Sequence, residues 1–303
     1  MLGLAVLAAQ MATPMPIVTR SLQSLAIATA ALGGAAYFYR TIRLRENFAV
    51  MCIALLQVLL FSALGSILSY LLARNGGGLW DSTFANWDRA LGLDWLGFVR
   101  AVDQHGWLVS ALRLAYASLI PQIIVLVLVL GFTGRLEKLR GVMLGAILCG
   151  TVCVLASPFF PAVSNYVQLG LTSADFRHVD PYAGYVHLAD FNGLRDNAMS
   201  VLDLAKMQGI ITFPSYHAGL SAVTLWGFWT SGVRWLKWTG PIVAIGTIVA
   251  TPVDGGHYFV DVLAGIAIAV VSILVSSRAV RWAPDWPRLT ASPFRRSHAA
   301  SGQ

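Results

Sequence analysis

Seven stretches of this chain, 21–39, 49–73, 109–132, 141–160, 215–231, 239–253 and 257–277, stay apolar for most of the width of a bilayer. A hydrocarbon core roughly 30 Å thick takes about 20 residues of helix to cross. Irregular backbone cannot face lipid there, because its N–H and C=O groups would have no partner. The chain is therefore expected to be all-α: a polytopic membrane helix bundle of six core spans, with one further span before them. Only 12% of its residues are charged, against about 25% in a soluble domain, which excludes a water-soluble globular enzyme.

The net charge of +7 is informative by position. Arg40, Arg43, Arg45, Arg135, Lys138, Arg140, Arg234, Lys237, Arg278, Arg281, Arg288, Arg295 and Arg296 fall in short connections or in the tail, against Glu46, Glu137 and Asp285. Basic connections stay cytoplasmic, which sends 74–108, 161–214 and 252–256 to the outer side. Alternating the spans satisfies this assignment throughout. The expected location is the cytoplasmic (inner) membrane, with the tail inside. Such arginines set topology and meet anionic lipid; nucleic acid is not expected as a partner.

Three divisions follow: an N-terminal segment 1–48, a membrane domain 49–277 and a basic tail 278–303. Met1–Ala12 is apolar but lacks a basic n-region, so a cleavable signal peptide is not the obvious reading, and Met11 or Met15 is an equally good start. Residues 79–105 mix Trp80, Trp87 and Trp95 with charges, as interfacial helices on the outer side do. The 161–213 segment is long and polar, which suits a functional cover. Cys52, Cys149 and Cys153 all lie inside expected spans and propose no disulfide framework; Cys149 and Cys153 at helical spacing read as packing.

The chemistry concentrates in two motifs, Phe213-Pro-Ser-Tyr-His-Ala-Gly219 and Asp254-Gly-Gly-His-Tyr-Phe-Val-Asp-Val-Leu-Ala-Gly265. Ionisable groups opening membrane spans are costly and are usually functional. Asp261 follows His257 by four residues, so on a helix the carboxylate shares the imidazole's face and can orient it. Ser215 is a good N-cap, which puts His217 in the first turn of the next helix, where unpaired N–H groups favour anions. Five of the six histidines, His105, His178, His187, His217 and His257, fall on the outer side under this topology. His105, His178 and His187 read individually as ordinary loop residues. A metal site from His178, His187 and Asp180 or Asp190 matches no tight ligand spacing, so no metal is assigned.

Phe213-Pro-Ser-Tyr-His217-Ala and His257-Tyr-Phe-Val-Asp261-Val-Leu-Ala-Gly resemble the second and third signatures of the type 2 phosphatidic acid phosphatase superfamily, especially its inositol phosphorylceramide synthase-like branch. The resemblance covers roughly residues 49–277. It implies that His257 attacks phosphorus to form a phosphohistidine, that Asp261 orients it, and that His217 protonates the departing alkoxide. Ser215 and the N–H groups of the helix starts, Gly256 among them, would hold the phosphoryl oxygens. No cofactor is required. The implied enzyme is a metal-independent lipid phosphatase or an inositol-type phosphotransferase. Its partners would be a phospholipid or prenyl phosphate and, for transfer, a polyol acceptor.

The chain departs from the phosphatase pattern in its cations. It contains no Arg-Pro dipeptide, carries Ala250 and Thr251 where the third signature has Ser-Arg, and has Tyr216 in place of the glycine before His217. A charged phosphoryl group still needs basic partners, and Arg195 is the first candidate, ahead of Lys206, Arg177 and Arg113. Two other classes compete. A transporter or channel with a His/Asp pathway needs ionisable groups within several spans, which 49–73 and 141–160 lack beyond their ends. A serine protease using Ser215 lacks a glycine-rich nucleophile turn.

The topology is testable by thiol labelling in intact cells with an impermeant reagent. Asp180→Cys is expected to react, and Arg135→Cys or Arg234→Cys to be shielded; the reverse pattern would put the motifs on the cytoplasmic side.

Overall fold

The computed structural model describes residues 2–74 and 77–282, and all its regular elements there are helical. The helices are α1 (Leu2–Ala12), α2 (Thr19–Tyr37), α3 (Glu46–Ala73), α4 (Asp81–Ala90), α5 (Trp95–Asp103), α6 (Gly106–Ala117), α7 (Leu119–Phe132), α8 (Leu136–Ala156), α9 (Asn165–Leu169), α10 (Tyr182–Val186), α11 (Leu188–Arg195), α12 (Tyr216–Trp229), α13 (Arg234–Asp254) and α14 (Phe259–Trp282). Among the described residues five helices are long and apolar enough to cross a membrane, or six if the bent pair α6 and α7 forms one span. The chain is an integral membrane protein, a polytopic helical bundle of the expected class. The tail arginines Arg288, Arg295 and Arg296 lie outside the described residues.

Two expected spans differ in form. Residues 109–132 are not one rod but α6 and α7, bent by 54°. Pro121 lies in the first turn of α7; it has no N–H to give the Ala117 carbonyl, and its ring crowds that group. The Ala115 carbonyl near the bend instead accepts from Thr247 Oγ1 of α13 at 2.8 Å. Residues 215–231 form a helix of 14 residues, about 21 Å long at 1.5 Å per residue, shorter than a full span.

The core is built where α7, α8, α12 and α14 meet, with Leu126, Val127, Leu130, Leu139, Val142, Val223 and the free thiols Cys149 and Cys153 fully or almost fully buried. One polar cluster sits within it: Gln122 donates to Thr247 Oγ1 at 2.9 Å and accepts from Thr224 Oγ1 at 3.2 Å. In a membrane bundle such hydrogen bonds fix helix register.

The segment between α3 and α6 is more than an interfacial float. Asp81, Phe84 and Asp88 lie on one face of α4, and all three are buried. Asp88 Oδ2 and Oδ1 accept from the N–H groups of Phe259 and Val260, both at 2.9 Å, so a carboxylate from α4 caps α14. Asp81 accepts from the Val163 N–H at 3.0 Å and from the Tyr258 hydroxyl at 2.9 Å. Burial pushes both carboxyls above their usual range, against the hydrogen bonds that favour the anion. Farther on, Asp103 accepts from the backbone of Arg177, His178 and Val179, each at 2.8 Å, and so pins the first half of the covering segment. In its second half a single parallel β-bridge, Ile17 to Leu202, ties that segment to the N-terminal region.

Because Asp88 satisfies two N–H groups at the start of α14, Asp88→Ala leaves them unpaired and is expected to cost about 1–3 kcal/mol. Thermal unfolding in detergent should show a lowered midpoint. An unchanged midpoint would mean that the start of α14 is held by other contacts.

Candidate active site

The two motifs meet at the junction of α12 and α14. The Ser215 N–H donates to the Asp261 carbonyl at 3.0 Å, which locks the start of one helix to the first turn of the other. Gly265 makes the approach possible: a Cβ there would lie 2.1 Å from the Ser215 carbonyl oxygen. Gly219 fits the same seam, since its own Cβ would stand 3.0 Å from the Gly265 oxygen. Small residues facing each other let helix backbones come this close.

That junction carries the site. Ser215 caps α12 as its composition suggests, its Oγ accepting from the Ala218 N–H at 3.4 Å. The same Oγ lies 3.5 Å from His257 Nε2. On the other side of the ring, His257 Nδ1 is 3.3 Å from Asp261 Oδ2, which also accepts from the Tyr258 N–H at 2.9 Å. A carboxylate only accepts, so Nδ1 carries the proton and Nε2 is left with its lone pair. His217 faces His257 across 6.4 Å between ring centroids. Its own ring stacks on Tyr116 at 4.7 Å and 12°, and this holds its plane. His217, His257 and Asp261 are thus brought together with Ser215, as the spacing of the motifs requires.

Both imidazoles line a cavity of about 210 Å³. Phe61, Val154, Ile210 and Ile211 form its apolar wall, and Ser62, Ser66 and Ser69 of α3 with Gln208 form a hydroxyl- and amide-bearing wall. No Lys or Arg is among the described residues that line it. Arg195, the expected phosphate partner, stands elsewhere: its Nη2 donates to the Gly77 carbonyl at 2.5 Å and its guanidinium lies over the Phe191 ring. Arg113 pairs with Asp254 at 3.7 Å, and Lys206 with Asp203 at 3.9 Å. Arg177 enters only through its backbone, at Asp103.

Gly256 is also displaced from its expected role. Gly255 lines the cavity, whereas Gly256 takes φ +65° and a Cβ there would meet the Tyr166 ring at 2.8 Å. Its carbonyl accepts from the Asn165 N–H at 3.0 Å. The glycine is needed for a left-handed turn against Tyr166.

Sequence reasoning passed over four contributors. Tyr116 gives no motif signal. Asp81 and Asp88 carry one, since with Phe84 they recur at helical spacing on a face that would otherwise be apolar. His187, read as an ordinary loop residue, lines the same cavity and is 5% exposed. His178 is parted from it, its Nδ1 lying 2.7 Å from the Asp103 carbonyl. The described residues contain no group of three His, Cys, Asp or Glu placed to hold a metal ion.

A carboxylate-oriented imidazole thus faces a second imidazole at the end of a membrane bundle. The model of the PAP2 superfamily matches residues 82–275, from α4 into α14. The chain belongs to the PAP2 superfamily, a membership that points to a phosphatase-type enzyme. Searches of curated proteins and of solved structures gave no match.

If the α12–α14 seam sets the site's geometry, Gly265→Ala must push Ser215 and His217 away from His257. A shift of about 1 Å at reacting groups can cost on the order of 100-fold in rate. Gly33→Ala, where the new Cβ meets nothing within 4 Å, should leave turnover unchanged. Equal activity of the two variants would show that the seam tolerates separation.

Proposed function

We propose that this protein cleaves a lipid phosphoester through a phosphohistidine on His257 and passes the phosphoryl group to a hydroxyl acceptor. His257 Nε2 attacks phosphorus; the P–N bond forms as the P–O bond to the leaving group breaks. Asp261 stabilises the charge that develops on the ring by holding Nδ1–H. His217 gives its proton to the departing alkoxide, then takes one from the incoming hydroxyl as the P–N bond breaks. Ser215 Oγ, within reach of Nε2, is placed beside the phosphoryl oxygens. The scheme uses no metal.

The observation that carries this reading is that His217 and His257, from two motifs forty residues apart in sequence, line one cavity, with Asp261 buried behind His257 against its Nδ1. The substrate is a phospholipid or prenyl phosphate, whose chains suit the apolar wall at Phe61, Ile210 and Ile211. Ser62, Ser66, Ser69 and Gln208 offer hydrogen bonds to a polyol acceptor. Together with the departures at Ala250, Thr251 and Tyr216, this wall supports the inositol phosphorylceramide synthase-like branch and transfer to a polyol over hydrolysis. The distribution of Arg and Lys supports a cytoplasmic membrane with the site facing outward.

Purified protein incubated with labelled phospholipids and prenyl phosphates, with and without inositol, should release phosphate or form a new phosphodiester. Acid-labile label should be trapped on the wild type and be lost with turnover in His257→Ala. His217→Ala should lose roughly 10²–10⁴-fold on an alkyl ester and much less on a p-nitrophenyl ester, whose leaving group needs no proton. Labelled enzyme persisting in His257→Ala would overturn the nucleophile, and equal losses on both esters the proton donor.

A further inference from the structure

A phosphoryl-transfer cavity with no arginine or lysine among its described lining residues raises the question of what meets the anion. Three imidazoles line it, and the scheme above uses only two. The third, His187, sits where α10 passes into α11 and is 95% buried by its 5% exposure. Its Nδ1 lies 3.4 Å from the Ala183 carbonyl, one turn back on the same segment. A carbonyl only accepts, so Nδ1 carries the proton in that contact. Nε2 is buried and makes no hydrogen bond of good geometry; the Val163 backbone acts on the ring as a hydrogen-bond acceptor and favours its protonated form.

An unpaired ring nitrogen in a buried site costs free energy unless something fills the place. Here the nitrogen belongs to a residue lining the cavity that His257 and His217 also line. We propose that His187 is a phosphate-binding residue of this site, its Nε2 taking up a proton and donating it in a charge-assisted hydrogen bond to a non-bridging phosphoryl oxygen. It would thereby supply the positive charge that Arg195 does not bring. The inference rests on the phosphohistidine reading and assigns the anion's partner within it.

The proton balance is simple. A phosphomonoester or inorganic phosphate entering as the monoanion can hand its proton to Nε2, giving an imidazolium beside a dianion with no net exchange with solvent. Before the anion arrives the ring is neutral, because burial holds its pKa below the ordinary value. The ionisable groups acting on it are His257 from the facing element, which opposes protonation, and Asp190 on its own helix, which favours it. Asp190 already accepts from the Tyr70 hydroxyl at 2.5 Å. His217, Tyr116 and Tyr216 complete the titratable lining. A permanently charged arginine would stay attractive to any anion at all times. A histidine charged only when phosphate is present releases its product once the proton leaves.

The probe is inorganic phosphate, added to the full-length protein in detergent. ¹⁵N NMR of histidine-labelled wild type should show the His187 Nε2 resonance, assigned by its loss in His187→Gln, move from the unprotonated to the protonated range as phosphate saturates. His187→Gln, which keeps a neutral hydrogen-bonding group, should bind phosphate about 10- to 100-fold more weakly, the range expected for losing a hydrogen bond to a charged group. The pH dependence of phosphate binding should flatten in that variant. Trapping of the phosphoenzyme provides the separating control. If wild type forms phosphoenzyme and binds phosphate, but the His187 resonance stays put and His187→Gln binds equally well, His187 is not the anion's partner while the phosphohistidine reading stands. If wild type neither forms phosphoenzyme nor binds phosphate, both fail together.

Discussion

The site depends on one backbone contact, the 3.0 Å hydrogen bond from the Ser215 N–H to the Asp261 carbonyl, made possible by the missing side chain at Gly265. It joins the N-terminus of α12 to the first turn of α14, and everything placed on those turns inherits its geometry. His217 and Asp261 lie in the first turns of the two helices, and Ser215 and His257 in the residues that lead into them, so all four come together where the two helix starts are fused. Sites carried on regular elements hold their geometry better than sites on mobile connections. Tyr116, from the bent α6–α7 pair, adds the last constraint by stacking on His217.

A second layer of buried acids holds that junction from outside. Asp88 caps α14, Asp81 ties Tyr258 to the Val163 backbone, and Asp103 gathers three successive N–H groups of the covering segment. Each carboxylate spends its lone pairs on backbone donors or a hydroxyl rather than on a cation. This division suits a membrane setting, where an unpaired N–H costs several kcal/mol and every orphan donor at a helix start has to be satisfied within the protein. Within the site itself, Asp261 turns one oxygen to the imidazole and to the Tyr258 N–H.

The cavity's electrostatics follow from what lines it. Neutral imidazoles, serine hydroxyls and a glutamine amide form its polar part, with no fixed positive charge among the described lining residues. Attraction for a phosphoryl group must then come from helix N-termini, from oriented hydroxyls and from imidazole protonation, all weaker in isolation than an arginine fork. Low dielectric strengthens each of them once water is excluded. The proposed role of His187 is the consequence of taking that inventory seriously.

The class of fold was legible from the sequence, because apolar runs of bilayer length leave helices as the only way to pair the backbone. So were two local relations: Ser215 caps α12 ahead of His217 as expected, while Asp261 in the first turn of α14 meets His257 by reaching back to the turn before that helix rather than by sharing a helix face with it. Arg195, Gly256 and His187 were not legible, and for one reason. Whether a side chain reaches a cavity depends on how distant segments pack, and sequence proximity to a motif carries no information about that. Arg195 lies twenty residues before Ser215 yet is taken by the Gly77 carbonyl, while His187, still farther away, lies against the site. The same holds for Asp88, whose partners are more than 170 residues along the chain. Local periodicity determined the helices and local sequence the meeting of His257 with Asp261; tertiary packing alone decided which of the remaining polar groups the cavity would receive.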